Sequence, residues 1–447
     1  MQAQQLASLI NGTVYGSGEI DINKISIDTR TLQPGDTYIA IVGEFQDGHD
    51  YITQAIGLGA ICIITQRPLA EHIPAIVVEN TLHAFQQIAA YHRRQFAVKT
   101  IAVTGSCGKT TTRALLASIF SEAGLTHASQ GSFNNHLGVP LTLLGLQSQH
   151  QYFIAEIGAN HLGEIASLVP LVQPDVAIIT NVGEAHLEGF GSLTNTATAK
   201  GEIFSGLSAT GTAVINRDDN FAEYWLQLNK ERRVVSFGIK QEADIMADHI
   251  TLSDSGCAQF TLVLPQTTID VQLALFGEHN VYNALASAAA GYALGLTPMQ
   301  IKAGLEQAVG EQRRLIEKRT PVGATIIDDS YNANPLSTEA AIRLLVHRAK
   351  EPILVFADMK EMGVDAQEIH TRLGVTAKEL GVSQLYCYGD LAKRTATAFG
   401  AGAFHFTDKN ALIETLQQNL TPQQTLLIKG SNSMKMNEVV EALVGEA

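Results

Sequence analysis

An α/β fold in three domains is what this sequence predicts: a small α/β N-terminal module, a central P-loop domain with a mostly parallel sheet, and a C-terminal Rossmann-like domain. Three observations carry that expectation. The apolar run Ile101-Ala102-Val103 leads into Thr104-Gly105-Ser106-Cys107-Gly108-Lys109-Thr110-Thr111-Thr112 and then a helical pattern from Arg113 to Ala123, which reads as strand, glycine loop, helix. Apolar, strand-length segments then alternate with helical ones twice over, the pattern of parallel sheets covered by helices. Finally, 447 residues at 45% hydrophobic content supply several cores, and about two to four domains are expected at this length.

Residues 1–98 mix short helices (4–10, 51–58) with strand candidates (25–28, 37–41, 60–64), punctuated by Pro34, Gly35, Gly43 and Gly48. Two polar clusters stand out, Asp28-Thr29-Arg30 at a strand end and Asp47-Gly48-His49-Asp50 in a loop. Arg30 suits a phosphate and the loop a sugar or base, but plain turns have the same composition. Residues 99–312 add strands at 152–157, 176–180 and 212–215, a meander-like antiparallel pair at 259–264 and 268–275, and a helix at 281–294. Residues 313–447 begin a second alternation, with strands at 325–327, 353–356, 384–388, 403–406 and 426–428 and helices at 337–349 and 367–380. Its first strand-to-helix turn, 328–335, lacks a glycine fingerprint, so a ligand other than a dinucleotide is expected there.

The polar residues gather where parallel strands end. In the glycine loop, Gly105 and Gly108 let backbone approach a polyphosphate, Ser106, Cys107 and Thr111 offer N–H groups, Lys109 adds a point charge, and the Thr110 hydroxyl suits Mg2+. Glu156 ends the second strand, where a buried carboxylate needs a cation, and a metal is the favoured one beside a phosphate loop. His186 lies in the loop after the third strand; spacing alone leaves a ligand and a hydrogen-bonded loop residue both open. Lys200 opens a helical pattern and by itself reads as a solvated lysine. Asn280 and Asn283 stand one helical turn apart, able either to read an adenine edge or to cap a helix.

Composition narrows the partners. A formal net charge of −14, with no basic patch, argues against nucleic acid. Residues 1–10 lack a basic-then-apolar leader, and the most apolar helical stretch, 284–296, is too short to span a bilayer. Cys62, Cys107, Cys257 and Cys387 are scattered singly, without zinc or disulfide spacing. A cytoplasmic, non-membrane protein is expected, and a monomer.

Together these motifs resemble the Mur ligase family over nearly the whole chain. The resemblance rests on residues 104–112, Phe133-Asn134-Asn135-His136-Leu137-Gly138-Val139-Pro140 and onward to Leu144, Glu156-Ile157-Gly158-Ala159-Asn160-His161, 180–188, Gly277-Glu278-His279-Asn280-Val281-Tyr282-Asn283-Ala284, and Asp328-Asp329-Ser330-Tyr331-Asn332-Ala333-Asn334-Pro335. It implies ATP and Mg2+ as cofactors, with Lys109 on the phosphates, Thr110 and Glu156 on one metal ion, and His186 with a carbamylated Lys200 on a second. It further implies Asn135, Asn280 and Asn283 around adenine, Arg314 and Asp329 reaching the nucleotide from the third domain, and Lys429 helping to close the site. Asp28, Thr29, Arg30, Asp47 and His49 become candidate contacts to a uridine nucleotide. Asn160, His161, Asn332 and Asn334 become candidate substrate contacts.

Within that resemblance the Ser330-Tyr331-Asn332-Ala333-Asn334-Pro335 run favours the family members that join D-alanyl-D-alanine to UDP-N-acetylmuramoyl-tripeptide in peptidoglycan synthesis. The alternatives are another amide ligase of the superfamily, adding one amino acid or a glutamate to a folate, a small-molecule kinase, and a nucleotide-controlled switch. Two departures are visible. Asn432 stands where the family usually has arginine, and Gln312-Arg313-Arg314 replaces the usual Gly-Arg, so which arginine faces ATP is left open.

Overall fold

The computed structural model describes residues 1–43, 46–70 and 72–445. By contacts the chain divides into two units, one of residues 1–97 with 133–148, the other of residues 98–132 with 149–447. The first unit holds a five-stranded sheet in the order Thr13–Tyr15, Ala75–Val77, Cys62–Thr65, Thr37–Ile39, Ile25–Ser26, parallel apart from its first pair. Strand Cys62–Thr65 is buried throughout, as expected for a parallel strand covered on both faces. The helices Ala3–Leu9 and Thr81–Arg93 pack their apolar faces on one side of the sheet, with Phe85, Ile39, Ile64 and Ile76 completely buried between them. The expected 47–50 loop is a short 3-10 turn, Gly48–Tyr51, started by Asp47.

The second unit contains two sheets. The larger has nine strands, ordered Thr267–Phe276, Cys257–Leu264, Ile245–Leu252, Arg233–Gly238, Thr212–Asn216, Val176–Ile179, Lys99–Thr104, Tyr152–Glu156, Thr126–Ala128. Seven are parallel and the first two add an antiparallel flank. That flank agrees with the expected meander, but the strand it joins, Ile245–Leu252, escaped the sequence reading. Its burial pattern alternates only at the start, because a bulge between Asp248 and Thr251 breaks the register. Helices Lys109–Ser121 and His279–Ala293 share one core, in which alanines 284, 286, 288, 289 and 290 are fully buried. The small side chains permit close helix contact, which brings Asn283 onto the glycine loop.

The smaller sheet has six strands ordered Ile316–Arg319, Thr325–Asp329, Gln424–Lys429, Glu351–Ala357, Gln384–Tyr388, Ala403–Phe406, all parallel except the first pair. The chain leaves strand Thr325–Asp329 through helix Pro335–Arg348 and returns two positions away, with Gln424–Lys429 between. Order reversals of this kind open a crevice at the carboxyl ends of strands. Pairing of Asp329 with Lys429, and of Lys429 with Phe356, aligns those ends. Among the described residues no helix is long and apolar enough to cross a membrane.

Candidate active site

The glycine loop follows strand Lys99–Thr104, third from one edge of the nine-stranded sheet, where register sets Val103 opposite Glu156 and Thr104 opposite Ile179. Three loops therefore meet at one edge. Asn181, after the third strand, shapes the glycine loop: its carbonyl accepts from Ser106 N at 3.0 Å, its side-chain oxygen from Cys107 N at 2.9 Å, and its amide donates to Cys107 O at 3.2 Å. Gly105 takes φ +150° with no room for a Cβ, which would fall 1.9 Å from Thr180 Oγ1. Gly108 takes φ +80° and starts the helix in a left-handed conformation without a side-chain cap, so this N-terminus is open to an anion. Gly105→Ala is expected to destabilise the protein by about 1–3 kcal/mol through strain and collision and to weaken ATP binding. An unchanged melting temperature together with an unchanged KM for ATP would refute this role.

Lys109 Nζ turns back to donate to Gly105 O at 2.8 Å. Burial and, less strongly, Arg314 depress its ammonium below the usual lysine range, against the pull of Glu156. Thr110 Oγ1 donates to Glu156 Oε1 at 3.3 Å, so the two oxygen groups singled out in the sequence do meet. Sequence reasoning missed what surrounds them. Arg113, one turn along the same helix, is buried with its Nε 3.6 Å from Glu156 Oε2, and its guanidinium also bonds Ser129 O and Glu311. The available signal was an arginine three residues after Thr110, on the face of the helix that packs inward.

Lys200 corrects the sequence reading twice. It sits in the last turn of helix Leu193–Gly201 rather than opening a helix, and it is 1% exposed rather than solvated. Its Nζ donates to Ala159 O at 3.4 Å and lies 5.1 Å from the centre of the Phe190 ring. Burial, then repulsion from Lys109, brings its pKa down to about 7, while Glu164 and Glu202 partly oppose the fall. Trp225, fully buried, donates to Ala197 O at 3.1 Å and holds this helix one turn before Lys200. His186 has φ +54° and its backbone oxygen accepts from Phe190 N at 3.1 Å, linking it to the ring beneath Lys200. Its Nδ1 contacts Glu361 of the smaller-sheet domain, and that bond holds the Glu361 carboxyl below its ordinary range.

Other expected residues fall on two sides of this centre. Asn283 Nδ2 donates to Asn280 Oδ1 at 2.7 Å, while Thr112 Oγ1 donates to Asn283 Oδ1 at 3.3 Å. The pair is buried against the glycine loop, where a Cβ on Gly108 would come within 2.2 Å of Asn283 Oδ1. Across the crevice, Cys107 Sγ lies 3.2 Å from Asn334 Oδ1, and Asn334 also accepts from Ser337 N to cap its helix. Lys429, 2% exposed, bonds Asp329 and donates to Asn332 O at 3.0 Å. Burial raises the Asp329 carboxyl, although Lys429 and Arg314 pull the other way. Arg314 stacks 4.1 Å from the centre of the Tyr331 ring. His279, not singled out from sequence, is held neutral by burial and then by Lys429, its pKa lowered to about 4.

Asn160 and His161 are exposed, and both engage Glu164, at 2.8 Å from Asn160 N and 3.1 Å from His161 Nδ1. Within the first unit, Asn135 Oδ1 accepts from Gly138 N at 2.9 Å. Arg30 pairs with Asp28 at 2.6 Å, and Thr29 Oγ1 donates to Gln54 at 3.2 Å. His49 is held by Asp47 at 2.6 Å and accepts from Gln66 N at 3.1 Å.

Family models match three stretches: Mur ligase family, catalytic domain, at residues 21–101; Mur ligase middle domain at 103–291; and Mur ligase, glutamate ligase domain, at 313–432. The chain is 40% identical over 442 residues to the UDP-N-acetylmuramoyl-tripeptide--D-alanyl-D-alanine ligase of Escherichia coli, covering 98% of this chain and 97% of that one. The crystal structure of MurF from Acinetobacter baumannii superposes with a TM-score of 0.94 at 35% identity, over 99% of this chain and 98% of the other. MurF from Thermotoga maritima in complex with ADP gives 0.84 at 25% identity, over 95% and 97%. With family models matched along most of its length and a 40% identical relative covering nearly all of it, this chain belongs to the Mur ligase family and is a ligase.

Proposed function

We propose that this ligase joins D-alanyl-D-alanine to UDP-N-acetylmuramoyl-tripeptide in the cytoplasm, with ATP converting the tripeptide's terminal carboxylate to an acyl phosphate that the dipeptide amine attacks. ADP and phosphate leave, and the amine proton passes to solvent or base. Residues 1–98 would hold the UDP sugar, 99–312 ATP, and 313–447 the dipeptide. The observation that carries the reading is the gathering of Lys109, Thr110, Glu156 and Lys200 around the open helix N-terminus. It is supported by the named activity of relatives covering nearly all of the chain.

The residues present fit Mg2+. Thr110 and Glu156 offer hard oxygen donors within 3.3 Å of each other. Among the described residues no group of three or more His, Cys, Asp or Glu side chains is disposed around a metal. A second ion therefore depends on His186 and on Lys200 becoming anionic. A lysine brought to a pKa of about 7 presents a neutral amine that can bond CO2 carbon and release a proton, leaving a carbamate. When bound, the metal supplies charge neutralisation between two anions that would otherwise repel. Lys109, redirected from Gly105 O, would add its charge to the same phosphates, and the loop N–H groups would orient them in line.

Mass spectrometry of products after incubation with ATP, UDP-N-acetylmuramoyl-tripeptide and D-alanyl-D-alanine tests the reading. The expected result is one amide-linked pentapeptide nucleotide, with phosphate released only when both acceptor and amine are present. A stable phosphorylated product without amide, or ATP consumption without either, would overturn it.

A further inference from the structure

We infer that Arg313 binds the free carboxylate of the incoming dipeptide. The inference rests on the ligase reading above and assigns the residue that recognises its amine substrate. Arg313 and Arg314 are neighbours in sequence and both guanidiniums lie over the Tyr331 ring, at 5.7 and 4.1 Å from its centre, but their other contacts differ. Arg314 stacks on Tyr331 and is close enough to Lys109 and Asp329 to shift both, which places it with the nucleotide. Apart from that ring, Arg313 bonds residues just beyond strand ends of the third domain: Nε donates to Ser330 Oγ at 3.1 Å, Nη2 to Ser330 O at 2.8 Å and to Asn432 Oδ1 at 3.3 Å. Its own carbonyl accepts from Tyr331 N at 3.1 Å.

Three features make this guanidinium a waiting receptor. Its backbone lies at φ +61°, a region that glycine enters freely and arginine does not. Every acceptor it holds is a neutral oxygen, and no described carboxylate pairs with it. The nearest acid in the network, Asp328, is already engaged by Ser330, whose hydroxyl donates to it at 2.6 Å and whose N–H donates at 3.1 Å. The fork is therefore oriented but not neutralised. Finally, the incoming dipeptide must lose its ammonium proton to attack, so its carboxylate is the one permanent charge by which it can be recognised, and the Nη1 hydrogens, which none of these three bonds uses, can donate to it. Asn432 contributes by fixing Nη2; being neutral, it cannot hold a carboxylate by charge.

The test is Arg313→Gly, because glycine takes φ +61° without strain and the fold is preserved. The variant should raise KM for D-alanyl-D-alanine about 10- to 100-fold, the loss expected for one charge-assisted contact. Its KM for ATP and for the tripeptide nucleotide, and its kcat at saturating dipeptide, should stay within about two-fold. Arg313→Lys, which keeps charge and loses the fork, should fall between. The distinguishing measurement is the C-terminal amide of the dipeptide, D-alanyl-D-alaninamide. Wild type should use it with a raised KM, whereas Arg313→Gly should use acid and amide alike. A variant that still prefers the acid, or one whose raised KM is for ATP, overturns the assignment. If wild type forms no amide product with any dipeptide, the ligase reading itself fails, and that outcome is separate.

Discussion

Lys109→Ala is expected to lower ATP-dependent turnover by about 100- to 1,000-fold, the usual consequence of removing one pre-positioned donor from developing charge. The melting temperature should hardly move. Burial already disfavours the Lys109 ammonium, and among the described residues its hydrogen bond is to its own loop, at Gly105 O, so the fold gains little from the charge. The wild-type side chain must swing away from that carbonyl to meet a phosphate, which separates its role in folding from its role with nucleotide. Steady-state phosphate release and differential scanning calorimetry on the same preparation check both halves. Normal turnover would remove the glycine loop from the reaction. A collapse in melting temperature would mean that Lys109 is a structural group.

Lys200→Ala should lose about 100-fold or more of activity and regain part of it with added formate or acetate. The argument follows from where the amine sits. A lysine at 1% exposure beside another cation has little reason to be there as an ammonium, and the Phe190 ring face offsets only part of that cost. Converted to a carbamate it would become an anion able to hold Mg2+, and the ion's neutralisation of transition-state charge would be worth several kcal/mol, about a hundred-fold or more in rate. A short carboxylate diffusing into the space left by the side chain offers the same two oxygens. The pH dependence has a definite sign: with the pKa brought down to about 7, the neutral amine dominates above that value. Uptake of isotope-labelled bicarbonate, read by carbon NMR, should therefore fall as pH drops below about 7. Full unassisted activity of Lys200→Ala, or labelling that persists in that variant, would defeat the idea.

The two predictions differ in how visible their residues are in the sequence. Lys109 lies inside a motif whose meaning is local: glycines for close backbone approach, a helix start and a preceding strand are all written within a dozen residues. The same holds for Glu156 and for the turn 328–335, each at the end of an apolar strand. Alternating apolar segments likewise revealed three domains of α/β type, because strand and helix periodicities are properties of neighbouring residues. The irregular strand Ile245–Leu252 escaped, since a bulge interrupts the alternation by which a strand is recognised.

Lys200, Arg113 and Arg313 belong to the other class. A lysine among threonines and alanines looks solvated, and only the packing of Trp225 and Phe190 around its helix makes it a buried amine with an unusual proton affinity. An arginine in a helix looks like surface, and only the meeting of two strand ends sets Arg113 beside Glu156. Two adjacent arginines cannot be told apart by composition; a left-handed backbone at one of them turns their side chains to different tasks. The sequence by itself determined the fold class, the phosphate loop and the family resemblance, because these are encoded in short-range order. Burial, charge pairing and the direction of a side chain arise from segments far apart in the chain, so only the folded arrangement shows which lysine is pushed toward its neutral form and which arginine pairs with no described carboxylate.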